Sequence, residues 1–145
     1  MPIFYVQYKY NMMNSKMVSF DFDGTLVDDF YGELNSQKEE IQKICKDLID
    51  NGHKIFIVTK RFGPEFSHLG KKNEHVEVYE LAEKLGIKKE NIYFTNREWK
   101  YYTLKKLNIN VHFENSENEV YEIRRNVPSM SVVHIENPYW KDLKW

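Results

Sequence analysis

The chain has 145 residues, enough for one domain with one core, and its 41% hydrophobic and 30% charged content is ordinary for a soluble globular protein. Its 21 basic and 22 acidic side chains leave a formal net charge of -1, which excludes a broad positive field for nucleic acid but leaves room for a local patch. Cys45 is the only cysteine, so an intrachain disulfide and a multi-cysteine zinc site are excluded, and a reducing, cytoplasmic setting is expected. The sequence shows neither a long apolar run nor a basic leader followed by an apolar core, so no membrane span or secretory segment is expected.

Residues 1–16, "MPIFYVQYKYNMMNSK", read as an N-terminal extension. Its aromatic stretch Ile3 to Tyr10 suits an extra edge strand or a loosely held arm. Residues 17–145 carry a regular pattern. "MVSF" is a short buried strand. "SQKEEIQKICKDLIDNG" places Ile41, Ile44, Cys45, Leu48 and Ile49 on one helical face, with Ser36 as cap and Gly52 as stop. "KIFIVTK" is a second strand, and "NEHVEVYELAEKLGI" an amphipathic helix ended by Gly86. The strand "NIYFT" follows, then a helix over Glu98 to Leu107, the strand "INVHF", a helix over Glu117 to Asn126, and the strand "SVVHI". Strand and helix alternate with short links. That order predicts an α/β, Rossmann-like, doubly wound, mainly parallel five-stranded sheet with helices on both faces.

Ligands of such sheets gather at the carboxyl ends of the strands. Asp21 and Asp23 follow the first strand there, Thr59 ends the second, Asn96 and Lys100 lie beyond the third, and Glu114 and Asn115 follow the fourth. Asp21 and Asp23 are two apart, so in extended backbone both point to one side and call for a counterion or a shared proton. Mg2+, a hard cation that takes oxygen ligands, is one solution. Gly24 permits a tight turn that brings backbone N–H groups near an anion, and Thr25 adds a hydroxyl. The plainer alternative is a simple Asp-Gly turn after a strand. Thr59 suits either an ordinary strand end or a donor to a phosphoryl oxygen, and Lys100 either solvent or an anion. Glu114 and Asn115 offer metal oxygens, whereas Glu117 and Glu119 are placed in the first turn of the next helix, where negative charge is favourable. All five histidines are assigned to structure or surface. The phosphate loop Gly-x-x-x-x-Gly-Lys-Ser/Thr and the dinucleotide fingerprint are both absent.

From about Met17 to His134 the chain resembles the haloacid dehalogenase-like (HAD-like) hydrolase superfamily, mostly phosphatases. "DFDGTLVD" is similar to its first motif, "IFIVTKR" to its second, and "NREWKYYTLKKLNINVHFEN" to its third and fourth together. The resemblance implies Asp21 as nucleophile, forming a phosphoaspartyl intermediate, and Asp23 as acid and then base. It implies Gly24, Thr25, Thr59 and Lys100 as the phosphate-binding set, and Mg2+ held by Asp21, Asp23, Glu114 and Asn115. Asp23 itself argues for phosphate chemistry, because the dehalogenases of the superfamily lack an acid there. The departure is Glu114–Asn115, where most members carry two aspartates; weaker metal binding, or a non-catalytic binding protein, is the alternative this leaves open.

Thirty-five residues separate Asp23 from Thr59, and forty separate Thr59 from Lys100, too few for a full cap domain. The resemblance therefore implies an open site for a phosphorylated small molecule or macromolecular end, nucleotides and nucleic-acid 3' ends among them. The aromatic ends "IFYVQYKY" and "NPYWKDLKW" suggest a homodimer.

Overall fold

A computed structural model of the protein describes residues 15–28, 36–69 and 73–142. Its elements run β1 (Met17–Phe20), α1 (Ser36–Asp50), β2 (Lys54–Thr59), α2 (His75–Leu85), β3 (Ile92–Phe94), α3 (Tyr101–Lys106), β4 (Val111–Glu114), α4 (Glu117–Asn126) and β5 (Ser131–His134). The strands pair in the order β3-β2-β1-β4-β5, and all four pairings are parallel. The protein is thus an α/β doubly wound fold, fully rather than mainly parallel among the described strands.

Two-residue alternation divides the core. Val18 and Phe20, Ile55 and Ile57, and Val111 and Phe113 face α1 and α2, packing against Ile41, Leu48, Val78 and Ala82. Phe56, Val58 and Val132 face the other way, onto Leu104 of α3 and Val120 and Ile123 of α4. The chain winds outward from β1 to β3 on the first face. It then crosses back to β4 and β5 on the second. The direction reverses between β1 and β4, which fixes the crevice at their carboxyl ends.

Two features trim the sequence expectations. Gly86 ends α2 at φ 86°, its N–H returning to Ala82 and Glu83, as the sequence indicates. Helix α3 is shorter than the predicted Glu98 to Leu107, because Thr95 folds the chain into a turn by donating its hydroxyl to the Glu98 carbonyl at 2.8 Å. The predicted strand at Ile3 to Tyr10 lies outside the described residues. Of the C-terminal aromatic segment, Trp140 is buried in the first core while Tyr139 is exposed. Among the described residues no helix is long and apolar enough to cross a membrane.

Phe20 and Phe113 are cross-strand partners, and their rings stack at 4.6 Å between centroids with 17° between planes. Each immediately precedes an acid, Asp21 and Glu114, so the stack locks the register that brings these two strand ends side by side. Phe113→Ala should lower stability by about 3–5 kcal/mol, read from the urea midpoint at unchanged slope.

Candidate active site

Because Phe20 pairs with Phe113, the next residues of β1 and β4 emerge side by side, and the Asp21 N–H donates to the Phe113 carbonyl at 2.9 Å. Two carboxylates so placed repel. Lys100, at the start of α3, enters between them: its Nζ donates to Asp21 Oδ1 at 2.6 Å and to Glu114 Oε1 at 2.7 Å. The lysine side chain is 2% exposed, so this is a buried ion triad rather than the solvated lysine its neighbours suggest.

The two carboxylates are not equivalent. Burial alone would raise Glu114, but the Lys100 charge and a bond from His112 Nε2 (2.9 Å) hold it down to about 2. Its second oxygen accepts the Ser116 N–H at 3.2 Å. Asp21 has fewer donors, Lys100 on one oxygen and the Thr25 hydroxyl (3.1 Å) on the other. Burial and then the Glu114 charge push it up to about 8, against the pull of Lys100. Burial also opposes the charge on Lys100, but Asp21 and Glu114 outweigh it and keep the ammonium ionised. The single cation thus serves two acids, and the better-supported acid keeps the charge.

Asp23 faces a different cation. Arg61 grips its carboxylate with two parallel bonds, Nε to Oδ2 at 2.8 Å and Nη2 to Oδ1 at 2.7 Å. The guanidinium also lies over the Phe22 ring and donates through Nη1 to the Glu74 carbonyl at 2.5 Å. Gly24 and Thr25, expected at the phosphate, use their donors within the turn instead. The Gly24 N–H, at φ 80°, donates to the Val27 carbonyl at 2.7 Å, and the Thr25 hydroxyl supports Asp21. From α1, Lys38 (Nζ to Gly24 O, 2.6 Å) and Gln42 (Nε2 to Leu26 O, 2.7 Å) tie this turn down.

A cleft of about 410 Å³ brings Asp21, Asp23, Thr59, Lys100, Glu114 and Asn115 together. Lys60 and Glu119 join them there, neither singled out from the sequence. Asn96 stands back from the cleft, where its side-chain oxygen accepts the Gly63 N–H at 2.9 Å. Glu119 does occupy the first turn of α4, yet it is 2% exposed. One of its oxygens accepts the Lys100 backbone N–H at 3.0 Å. The other has no hydrogen bond and lies 3.5 Å from the Lys60 ammonium.

These facts decide how a divalent cation would fit. Glu114, expected as a ligand, has Oε1 engaged by Lys100 and His112, while Oε2 accepts only the Ser116 N–H at 3.2 Å and keeps lone-pair capacity for a cation. Among the described residues no three His, Cys, Asp or Glu side chains close into a cage. Glu119, whose Oε2 is buried without a hydrogen bond, lines the cleft with Asp21, Asp23, Glu114 and Asn115. An open set of hard oxygen donors of this kind suits Mg2+, which keeps several waters.

No protein-family model matches the chain, and no curated protein matches it. Solved structures share its fold. A Vibrio cholerae protein assigned as a 3-deoxy-D-manno-octulosonate 8-phosphate phosphatase superposes with a TM-score of 0.51 at 21% identity, over 81% of this chain and 65% of its own. This chain therefore spans less than two thirds of that protein. The cobalt-bound form of the deoxy-D-mannose-octulosonate 8-phosphate phosphatase from Haemophilus influenzae gives 0.50 at 15% identity, over 85% of this chain and 80% of its own. At such identities the likeness establishes the fold.

The raised Asp21 makes a stability prediction. Folded Asp21 holds its proton to about pH 8 whereas an exposed aspartate releases it near 3.8, so folding takes up a proton between these values and stability falls as pH rises. In metal-free buffer Asp21→Asn should be more stable than wild type by roughly 1–3 kcal/mol at pH 8, with the gap closing towards pH 4. Urea titrations at a series of pH values measure it.

Proposed function

We propose that the chain is a phosphomonoester hydrolase of the HAD-like superfamily, working through a covalent intermediate on Asp21. The observation that supports this best is the cleft itself: a buried carboxylate at a strand end, with an ammonium and a threonine hydroxyl beside it. Lys100 has three N–H donors, and two are committed to Asp21 and Glu114. The third is left for a phosphoryl oxygen. Thr59 Oγ1 accepts the Arg61 N–H at 3.3 Å, so its own proton is a donor to a second oxygen.

In this reading an Asp21 oxygen bonds to phosphorus while the bond to the leaving oxygen breaks, and Asp23 delivers a proton to that oxygen. Water then attacks phosphorus, Asp23 takes its proton, and the bond to Asp21 breaks to release inorganic phosphate. Mg2+ would be held by Asp21, Glu114, Asn115 and Glu119 with the main-chain carbonyl of Asp23, and would supply positive charge that favours ionised Asp21 and screens the substrate's anionic oxygens. Asp23 carries out its part only after turning away from Arg61. Its side chain is 35% exposed, which gives it room to do so. No described element roofs the cleft, so the substrate class we propose includes nucleotides and nucleic-acid 3' ends as well as smaller phosphates.

A second reading, phosphate binding without turnover, draws on two observations: the bidentate grip of Arg61 on Asp23, and a neutral Asn115 where a carboxylate would bind a cation more strongly. Hydrolysis of para-nitrophenyl phosphate separates the two. Wild type should require Mg2+, and Asp21→Asn should lower kcat by at least about 10³-fold. Calorimetric binding of inorganic phosphate without any hydrolysis, across a screen of phosphomonoesters, would establish the second reading instead.

A further inference from the structure

The geometry points to a positioning role for His112: with Ser19 behind it, the ring fixes Glu114, and through Glu114 it sets the Lys100 ammonium against the reacting phosphate. The functional part of this inference rests on the phosphatase reading, while its structural part does not.

Ser19 and His112 are direct cross-strand partners on β1 and β4, both fully buried on the face covered by α3 and α4. Ser19 Oγ lies 2.6 Å from His112 Nδ1, and His112 Nε2 lies 2.9 Å from Glu114 Oε1. The tautomer follows from the partners. A carboxylate only accepts, so Nε2 carries the proton; burial keeps the ring neutral, so Nδ1 is bare and accepts the serine hydroxyl. The result is one directed chain from Ser19 through His112 to Glu114, where Lys100 arrives from the other side and passes on to Asp21.

Packing alone does not account for this pair. A serine and a histidine in a sheet interior are less favourable than apolar residues of the same size unless their bonds are needed. What they supply is an independent hold on Glu114. Without His112, Glu114 would keep only the longer Ser116 N–H bond on Oε2, at 3.2 Å, and on Oε1 the ammonium it is meant to fix, and both side chains have soft terminal torsions. Catalysis is sensitive to that slack, because a displacement of about 1 Å lowers rates on the order of 10²-fold.

The test compares His112→Gln, which keeps an N–H donor at the reach of Nε2, with His112→Leu, which does not. The lysine ammonium region of ¹H–¹⁵N spectra reads Lys100 directly, whether or not the protein is an enzyme. His112→Leu should shift or broaden the Lys100 signal and His112→Gln should preserve it. In turnover, His112→Leu should lose about 10–100-fold in kcat with little change in KM, and His112→Gln less than about five-fold. On a Glu114→Gln background, His112→Leu should add almost nothing further. Equal Lys100 signals in the two variants, or losses that simply add to those of Glu114→Gln, would overturn the proposal. If wild type proves inactive on every phosphomonoester, the phosphatase reading fails and the ammonium signal alone decides. If His112→Leu does not fold, Ser19→Ala takes its place: a displaced Lys100 signal supports the chain, and an unmoved one refutes it.

Discussion

The site depends on one buried ammonium shared by two carboxylates. Lys100 does not stabilise the fold cheaply, because an ammonium and two carboxyl groups are removed from water and held in a small space. Its effect is to specify. It joins the start of α3 to the ends of β1 and β4, across the point where the sheet reverses direction. Removing the cation would leave two acids facing each other in the interior, so everything built around them presupposes it. The stacked phenylalanines fix the register of β1 and β4, and His112 bonds Glu114 from within the sheet.

A second electrostatic unit builds the rim. Arg61 holds Asp23, and Glu74 receives Arg97 at 2.9 Å and the Phe62 N–H at 2.5 Å. Asn96 and Arg97 both adopt left-handed backbone, φ 55° and 72°, unusual for non-glycine residues in succession. The Arg97 conformation is maintained because its N–H and its guanidinium both donate to the Lys60 carbonyl, at 2.8 and 2.9 Å. This bend turns the chain after β3 back over β2 and delivers Lys100 to the cleft. Strain in one loop is thereby exchanged for position in another.

Much of this was readable from residue pattern. Alternation and the stop glycines Gly52 and Gly86 located the strands and helices, whereas Ser36, expected as a cap, is the first residue within α1. The strand-end rule gathered Asp21, Asp23, Thr59 and Lys100 correctly around one cleft. The partners of those residues were harder to read. Glu114 reads as a cation ligand from its place at a strand end. Its bond to His112 is harder to see: Glu114 is the last strand residue and shares a face with His112, two positions earlier, and that shared face was a signal in the sequence. Arg61 had a weaker signal, being one of only four arginines among 21 basic residues, at a place where two parallel bonds need a guanidinium. Glu119 had none. A first-turn glutamate is ordinarily solvated, and only the approach of Lys100 and Lys60 from distant segments buries this one.

The site's charge explains why Asp21 is the adjustable member. Asp21, Asp23, Glu114 and Glu119 face Lys60, Arg61 and Lys100, so with every group ionised the cluster carries one excess negative charge. That arrangement repels a phosphate. Glu114 cannot relieve it, being held ionised by His112, Ser116 and Lys100. Asp23 is matched by the Arg61 guanidinium, which also lies 3.4 Å from Glu77. The excess therefore falls on Asp21, which either keeps a proton or takes a cation. The donors that hold Glu114 ionised, His112, Ser116 and Lys100, thus leave Asp21 as the member of the pair on which the excess charge is relieved.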